Sequence, residues 1–144
     1  MDAVVADFLA GAAEFLSPDN EEQHWDVIEG QGSLFHPAYA AVTLGLLHGS
    51  QPDALVLCHD ASRFSIDGYP DFPIPPLAEC IERYLAAARL TNAAAEFAGV
   101  SLNTAGLAPE ERRRQIERTE AETGLPVTDP IALGMAPLAD RILA

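Results

Sequence analysis

Glu29 is followed at once by Gly30, Gln31, Gly32 and Ser33, and then, three residues on, by His36. A carboxylate at the end of a short apolar run, here Trp25-Asp26-Val27-Ile28, can hold a magnesium ion directly or through water, or orient an attacking group. Glycines on both sides of Gln31 let the backbone approach an anion and aim N–H groups at it. A second set, His59, Asp60 and Arg63, follows the apolar run Ala54–Cys58 and offers a base, an acid and a cation close together. Asn103 and Thr104 follow Gly99–Leu102, and Asp129 and Pro130 follow Pro126–Thr128. Each set also has a plainer reading. Glu29 can cap a turn, the glycines can simply bend the chain, residues 59–63 can be a solvated loop start, and Asn103 can cap the next turn.

Other chemistries find less support. Ser33 lacks the GxSxG setting of a nucleophile elbow. His24, His36, His48 and His59 have no HxxxH-type spacing, which argues against zinc. Arg112, Arg113 and Arg114 sit among Glu110, Glu111, Glu117, Glu120 and Glu122, the pattern of a solvated mixed-charge helix face. Cys58 and Cys80 lie in apolar surroundings without CxxC pairing and read as buried, reduced thiols.

The elements that must position these groups alternate between helix and strand. Residues 3–16 place Val5, Phe8, Leu9, Ala12, Phe15 and Leu16 at helical spacing, with Ser17-Pro18-Asp19-Asn20 as the stop. Trp25–Glu29 reads as a short strand. Ala38–His48 reads as a buried helix, and Ala54–Cys58 as a strand covered on both faces. Residues 59–76, with four prolines and one glycine, read as a long irregular connection, a length that compact domains seldom spend without functional cause. A helix over Leu77–Leu90, a strand over Gly99–Leu102, and a charged helix from Pro109 to Thr123 with Gly124 as its stop come next. A short strand Pro126–Thr128 and a helix Ala136–Leu143 close the chain. This order predicts a three-layer α/β/α fold around a mainly parallel sheet. In such sheets ligands bind beyond the carboxyl ends of the strands, so the polar sets above are expected on one rim.

The 144 residues suit one domain, with 49% hydrophobic and 21% charged side chains. The net charge is -14, and all eight basic residues are Arg. Nucleic acid and anionic membrane, which require a basic face, are therefore not expected as partners. A small anionic ligand is not excluded, because helix-start N–H groups hold phosphate without Lys. There is no signal-peptide pattern and no run long enough to span a bilayer, so a cytoplasmic location is the expectation.

The stretch WDVIEGQGSL resembles the strand-plus-EGxG element of P-loop proteins related to dethiobiotin synthetase and the cobyric acid synthases, where the Glu belongs to the magnesium and phosphate site. More extensively, DAVVADFLAGAAEFL, then DVIEGQGSLFHPAYAAVTLGLLHGSQPDALVLCHDASR, then GVSLNT and GLPVTDP resemble the carboxyl-terminal P-loop domain of the D-glutamate N-acetyltransferase-like family. The resemblance covers nearly the whole chain. It implies acetyl transfer from acetyl-CoA to the amine of a D-amino acid, a small-molecule substrate. It implies that Glu29, Gly30 and Gly32 face phosphates or a metal, and that Asn103 lies near the nucleotide base in relatives. Asp7 matches an acid of the family's DAVVADF stretch with a metal or substrate role. His36, His59, Asp60 and Arg63 match motif positions assigned to the substrate side.

That activity needs a base and oxyanion donors. The candidates are His59 or Glu29 as base, the Gly30–Ser33 backbone as donors, and Arg63 for a substrate carboxylate. One departure stands out: there is no GxxxxGK[ST] loop and no Lys to serve one. The expectation is therefore a single partial domain over 1–144, the carboxyl-terminal part of a longer protein, without the first strand and its phosphate loop. The isolated chain is then expected to be inactive, and either a missing amino-terminal segment or a homo-oligomer to complete it. Two alternatives are an ATP- and Mg-dependent ligase or kinase-like enzyme of the dethiobiotin synthetase type, and a non-catalytic remnant.

Overall fold

A computed structural model describes residues 5–144. Residues 3 and 4 of the expected first helix lie outside it. The chain divides into two compact units, Met1–Asp53 with Ala86–Ala95, and Ala54–Leu85 with Glu96–Ala144.

In the first unit a 3-10 turn, Ala6–Phe8, leads into α1 (Leu9–Leu16), and α2 spans Ala40–Ser50. The two helices meet through small residues. A Cβ on Gly49 would lie 2.0 Å from the Ala10 carbonyl oxygen and 2.6 Å from the Ala13 Cβ, and one on Gly45 would lie 2.7 Å from the Leu9 Cβ. Glycines four apart share one helix face, so their missing side chains let α1 rest directly on α2. Leu9, Ala13, Thr43 and Leu47 are buried there. The turn after α2 puts Gln51 at φ 46 and is clamped by Asn92, whose Nδ2 donates to the Gln51 and Pro52 carbonyls, both at 3.2 Å, and to Asp53 Oδ1 at 2.9 Å.

Three sequence expectations change here. The apolar face foreseen for the first helix is mostly outward: Leu9 is buried, but Val5, Phe8, Phe15 and Leu16 are exposed. The helix instead buries Ala13 with Leu9, because glycine-to-alanine contact admits small side chains and leaves the bulky ones outside. Trp25–Glu29 is not a strand; it is exposed, with Val27 at 96%. A strand needs a ladder partner for its N–H and C=O groups, and among the described residues none pairs with this segment. The helix over Ala40–Ser50 is also less buried than its Ala/Leu composition suggested, with only Thr43, Leu47 and Gly49 fully covered.

The second unit holds a parallel sheet in the order β1 (Ala54–Asp60), β4 (Glu96–Asn103), β5 (Val127–Thr128). β4 runs between the other two and is almost continuously buried from Phe97 to Leu102, as a strand covered on both faces must be. β1 has the same apolar composition, but its outer side has no neighbour in this sheet and it is only half-buried. Side chains alternate along a strand. Val100, Leu102 and Val127 pack one face with Leu57, Ile81 and Ile116, under α3 (Leu77–Ala88) and α4 (Pro109–Thr123). On the opposite face α5 (Ala136–Ile142) inserts Leu138, fully buried, over Gly99. A Cβ on Gly99 would lie 2.2 Å from Leu138 Cδ2 and 2.5 Å from the Pro126 carbonyl oxygen, so only glycine allows this approach. The unit is thus α/β/α in itself.

α4 starts with Pro109 and with Glu111 accepting from the Ala108 N–H at 3.2 Å; it stops at Gly124, φ 68. The connection after β1 is not wholly irregular. It carries a hairpin, β2 (Ser65–Ile66) and β3 (Tyr69–Pro73), turned at Gly68 with φ 75.

Candidate functional site

The carboxyl ends of β1, β4 and β5 open onto a cleft of about 300 Å³ lined by Cys58, His59, Asp60, Ser101, Asn103 and Asp129, among others. Asp60 pairs with Asn103 in the strand register, and Asn103 Nδ2 donates to Asp60 Oδ2 at 3.2 Å. Asp60 Oδ1 accepts from the Ser62 hydroxyl at 2.6 Å and its N–H at 2.9 Å. These Ser62 bonds, with a smaller contribution from Arg63, hold the Asp60 carboxyl below its ordinary pKa. Arg63 stands 3.9 Å from Asp60 and 3.8 Å from Asp67, half-exposed and loosely paired, so its guanidinium can turn to an incoming anion.

His59 and Asp60 lie inside β1, not after it as the apolar run suggested. The strand continues because its ladder with β4 extends to Asp60↔Asn103. As neighbours in a strand they point to opposite faces. Asp60 joins Asn103, whereas His59 shares the face of Leu57 and Leu102. The His59 imidazole is half-buried and makes no hydrogen bond among the described residues. Burial lowers its pKa, against the opposing pull of the Asp60 and Glu122 carboxylates. The result is a neutral ring at neutral pH, free to take a proton.

Asp129 is 4% exposed and fully engaged. Its Oδ2 accepts from the Thr104 hydroxyl and from the Thr104 N–H at 3.2 Å; its Oδ1 accepts from the Ile131 and Ala132 N–H groups at 3.0 and 2.9 Å. The Thr104 bond, with these backbone donors, keeps its pKa low. Arg112 Nε donates to the Thr104 hydroxyl at 2.7 Å and lies 3.8 Å from Asp129. Asp129 therefore ties the ends of β4 and β5 together, while Asp60 and Asn103 line the cleft with Arg63 beside Asp60, and His59 borders it from the other face of β1. Arg112 was missed within the Arg112–Arg114 run, which reads as wholly solvated. The available signal was its place at the start of α4, one turn after Pro109, where a helix meets the strand rim. Cys58 is also corrected: it is exposed, because β1 is an edge strand, while Cys80 is buried and its thiol is pushed up to about 11 by burial.

The Glu29–His36 set belongs to the first unit. Glu29, Gly30 and Gln31 are exposed. Gly32 has φ 61, and the Thr43 hydroxyl of α2 donates to the Gln31 carbonyl, so this turn is pinned to the helix. The Ser33 hydroxyl accepts from the Phe35 N–H at 3.2 Å. His36 Nδ1 accepts from the Ala38 and Tyr39 N–H groups at 3.1 and 3.2 Å, just before α2, and its ring lies 4.6 Å from that of Tyr39. His36 thereby closes the turn over residues 37–39 that leads into α2. Asp7 is exposed in the opening 3-10 turn. No trio of His, Cys, Asp or Glu among the described residues is placed to hold a metal ion. No helix among the described residues is long and apolar enough to cross a membrane.

Residues 1–139 match the family described as a domain of unknown function, the DUF1611_C P-loop domain. A protein from Tritonibacter scottomollicae named D-glutamate N-acetyltransferase is 46% identical over 144 residues, all of this chain and 43% of its own length. Another of that name from a Pseudoalteromonas species is 50% identical over 135 residues, 94% of this chain and 41% of that protein. The chain thus spans less than half the length of these curated relatives. A crystal structure of a DUF1611 family protein from Anabaena variabilis superposes with a TM-score of 0.86 at 42% identity, over 99% of this chain and 42% of that one. By its sequence across nearly its whole length and by its fold, the chain belongs to the DUF1611 family, as the P-loop domain of that family.

Proposed function

We propose that the chain is the P-loop portion of a D-glutamate N-acetyltransferase, moving an acetyl group from acetyl-CoA to the amine of D-glutamate. The observation that carries this is the 46% identity across all 144 residues to a relative of that name. The rim of the parallel sheet offers groups that suit such a reaction. An incoming amine arrives protonated. His59, neutral and without a hydrogen bond among the described residues, takes that proton. The freed nitrogen attacks the thioester carbonyl, a C–N bond forms, and the C–S bond breaks. The coenzyme thiolate leaves and is protonated from the imidazolium, and the second proton of the acylated nitrogen passes to solvent. Asp60, kept ionised by Ser62, and Asn103 face the ammonium and polar groups of the acceptor. Arg63 pairs with an acceptor carboxylate.

The test is a chimera in which this chain replaces the matching portion of the Tritonibacter protein. It is incubated with acetyl-CoA and D- or L-glutamate while the released coenzyme thiol is titrated. D-glutamate-dependent thiol release without ATP supports the reading. Release only with ATP and magnesium moves it to the ligase or kinase-like class. A folded chimera with neither activity, where the parent is active, refutes it. The 144-residue chain alone, assayed alongside, is expected to show no turnover.

A further inference from the structure

α1 presents an outward stripe that its own unit does not cover. Val5, Phe8, Phe15 and Leu16 are 63%, 66%, 84% and 73% exposed, and half-buried Ala12 lies between them. At 100° per residue, Ala12, Phe15 and Leu16 fall within one arc of α1, beside the Leu9–Ala13 face that packs on α2, and exposed Phe8 precedes them at the end of the 3-10 turn. Scattered exposed apolar residues are ordinary; two phenylalanines and a leucine exposed along one short segment are the pattern of an interaction surface.

Charge selects the occupant. Exposed Asp7 sits in the 3-10 turn before α1 and exposed Glu14 next to Phe15, and Asp19, Glu21, Glu22 and Asp26 follow α1. The first Arg or Lys of the sequence is Arg63. Within this unit the exposed Arg89 is engaged through its Nε, which donates to the Ala95 carbonyl at 3.0 Å. A second copy would bring the same acids against these, and an anionic lipid surface would be repelled for the same reason. An amphipathic basic helix satisfies both features, with apolar side chains against the phenylalanines and Arg or Lys against Asp7 and Glu14.

We propose that the α1 stripe is a docking surface for a partner polypeptide that presents an amphipathic helix with an Arg/Lys-rich flank. The surface is distinct from the strand-end rim and does not depend on the acetyl-transfer reading.

The probe is a fluorescein-labelled helical peptide of about 20 residues with leucines at heptad a and d positions and lysines at e and g. A matched peptide carries glutamates at e and g. Anisotropy titrations with the full chain are expected to show binding of the lysine peptide and at least tenfold weaker binding of the glutamate peptide. Phe8→Ala with Phe15→Ala, and separately Asp7→Asn with Glu14→Gln, should each weaken the lysine peptide by at least fivefold. Glu110→Gln with Glu117→Gln on α4 should leave it unchanged. These side chains are exposed, so unaltered circular dichroism is expected of every variant. Equal weakening by the α4 pair would mean non-specific attraction to an acidic protein and would overturn the proposal. So would an affinity unaffected by the phenylalanine changes. Sedimentation showing a dimer that Phe15→Ala dissociates would assign the surface to a second copy and overturn it as well.

Discussion

Two stretches of this chain look alike in composition and differ completely in outcome. Trp25-Asp26-Val27-Ile28 and Phe97-Ala98-Gly99-Val100 are both short apolar runs leading to a polar residue and a turn. The second is the buried middle of a sheet, with β1 on one side, β5 on the other and helices on both faces. The first is extended, exposed and without a ladder. Strand character is thus a property of the neighbours more than of the run, because each strand must find partners for its backbone groups. The same contrast separates the two polar sets. Asp60 and Asn103 are locked in place by strand register, and Thr104 and Asp129 by their hydrogen bonds, whereas Glu29 and Gly30 are exposed outside any strand or helix.

If the rim does the chemistry, His59→Ala has the largest effect. Loss of a general base costs on the order of 10²–10⁴ in rate. The chimera assay should show that loss in kcat with little change in fold. Because burial lowers the His59 pKa, the imidazole stays unprotonated to a lower pH than an ordinary histidine. The acid limb of the wild-type pH–rate profile should therefore fall below about 6.5. A limb well above that value would take the base role away from His59.

The packing beneath the rim comes next. Gly99→Ala puts a methyl group into Leu138 and the Pro126 carbonyl. Overpacking of this kind costs about 3 kcal/mol, read as a shift of the urea midpoint. Placing the same methyl at Gly30, where no atom lies within 4 Å, should change stability by less than about 0.5 kcal/mol. Equal effects at the two glycines would erase the contrast between the stretches.

Asp129→Asn is expected to cost about 2 kcal/mol, since it weakens charge-assisted bonds to a buried carboxylate. Its dependence on pH has a definite sign. The folded-state pKa is lowered, so on acidification the unfolded chain takes up the proton first. The advantage over Asp129→Asn is full above about pH 4, the unfolded value, and disappears as the pH falls through the folded one. Paired urea titrations across this range check it. A difference that grew on acidification would contradict the bonding described.

The sequence pattern made the helices and the β1–β4–β5 strands legible because their signals are local: apolar runs of strand length, Pro109 opening α4, Gly124 closing it. Rim residues followed from strand ends, since topology places them there. What it hid depends on partners. Nothing in WDVI says that no strand lies beside it. Nothing in Val5–Leu16 says that Gly45 and Gly49 admit Ala13 and turn Phe8 and Phe15 outward. Arg112 looked like its neighbours Arg113 and Arg114, and only the position of Thr104 and Asp129 under the first turn of α4 distinguishes it.

The smallest expected effect decides between the two polar sets. Glu29 is exposed on a segment outside any strand or helix, so Glu29→Gln should alter stability by less than about 0.5 kcal/mol. Its carboxylate and that of Asp60 are both candidates to meet the acceptor's ammonium, but only Asp60 is held by neighbours that fix its direction. Catalysis depends on such fixing, because a group that must be ordered at the moment of reaction loses much of its advantage. The chimera carrying Glu29→Gln should therefore keep its rate within about threefold, by the same coenzyme-thiol titration. A loss near that of His59→Ala, with stability untouched, would mean that the exposed segment becomes ordered around the substrate. The EGQG stretch would then carry the chemistry in place of Asp60.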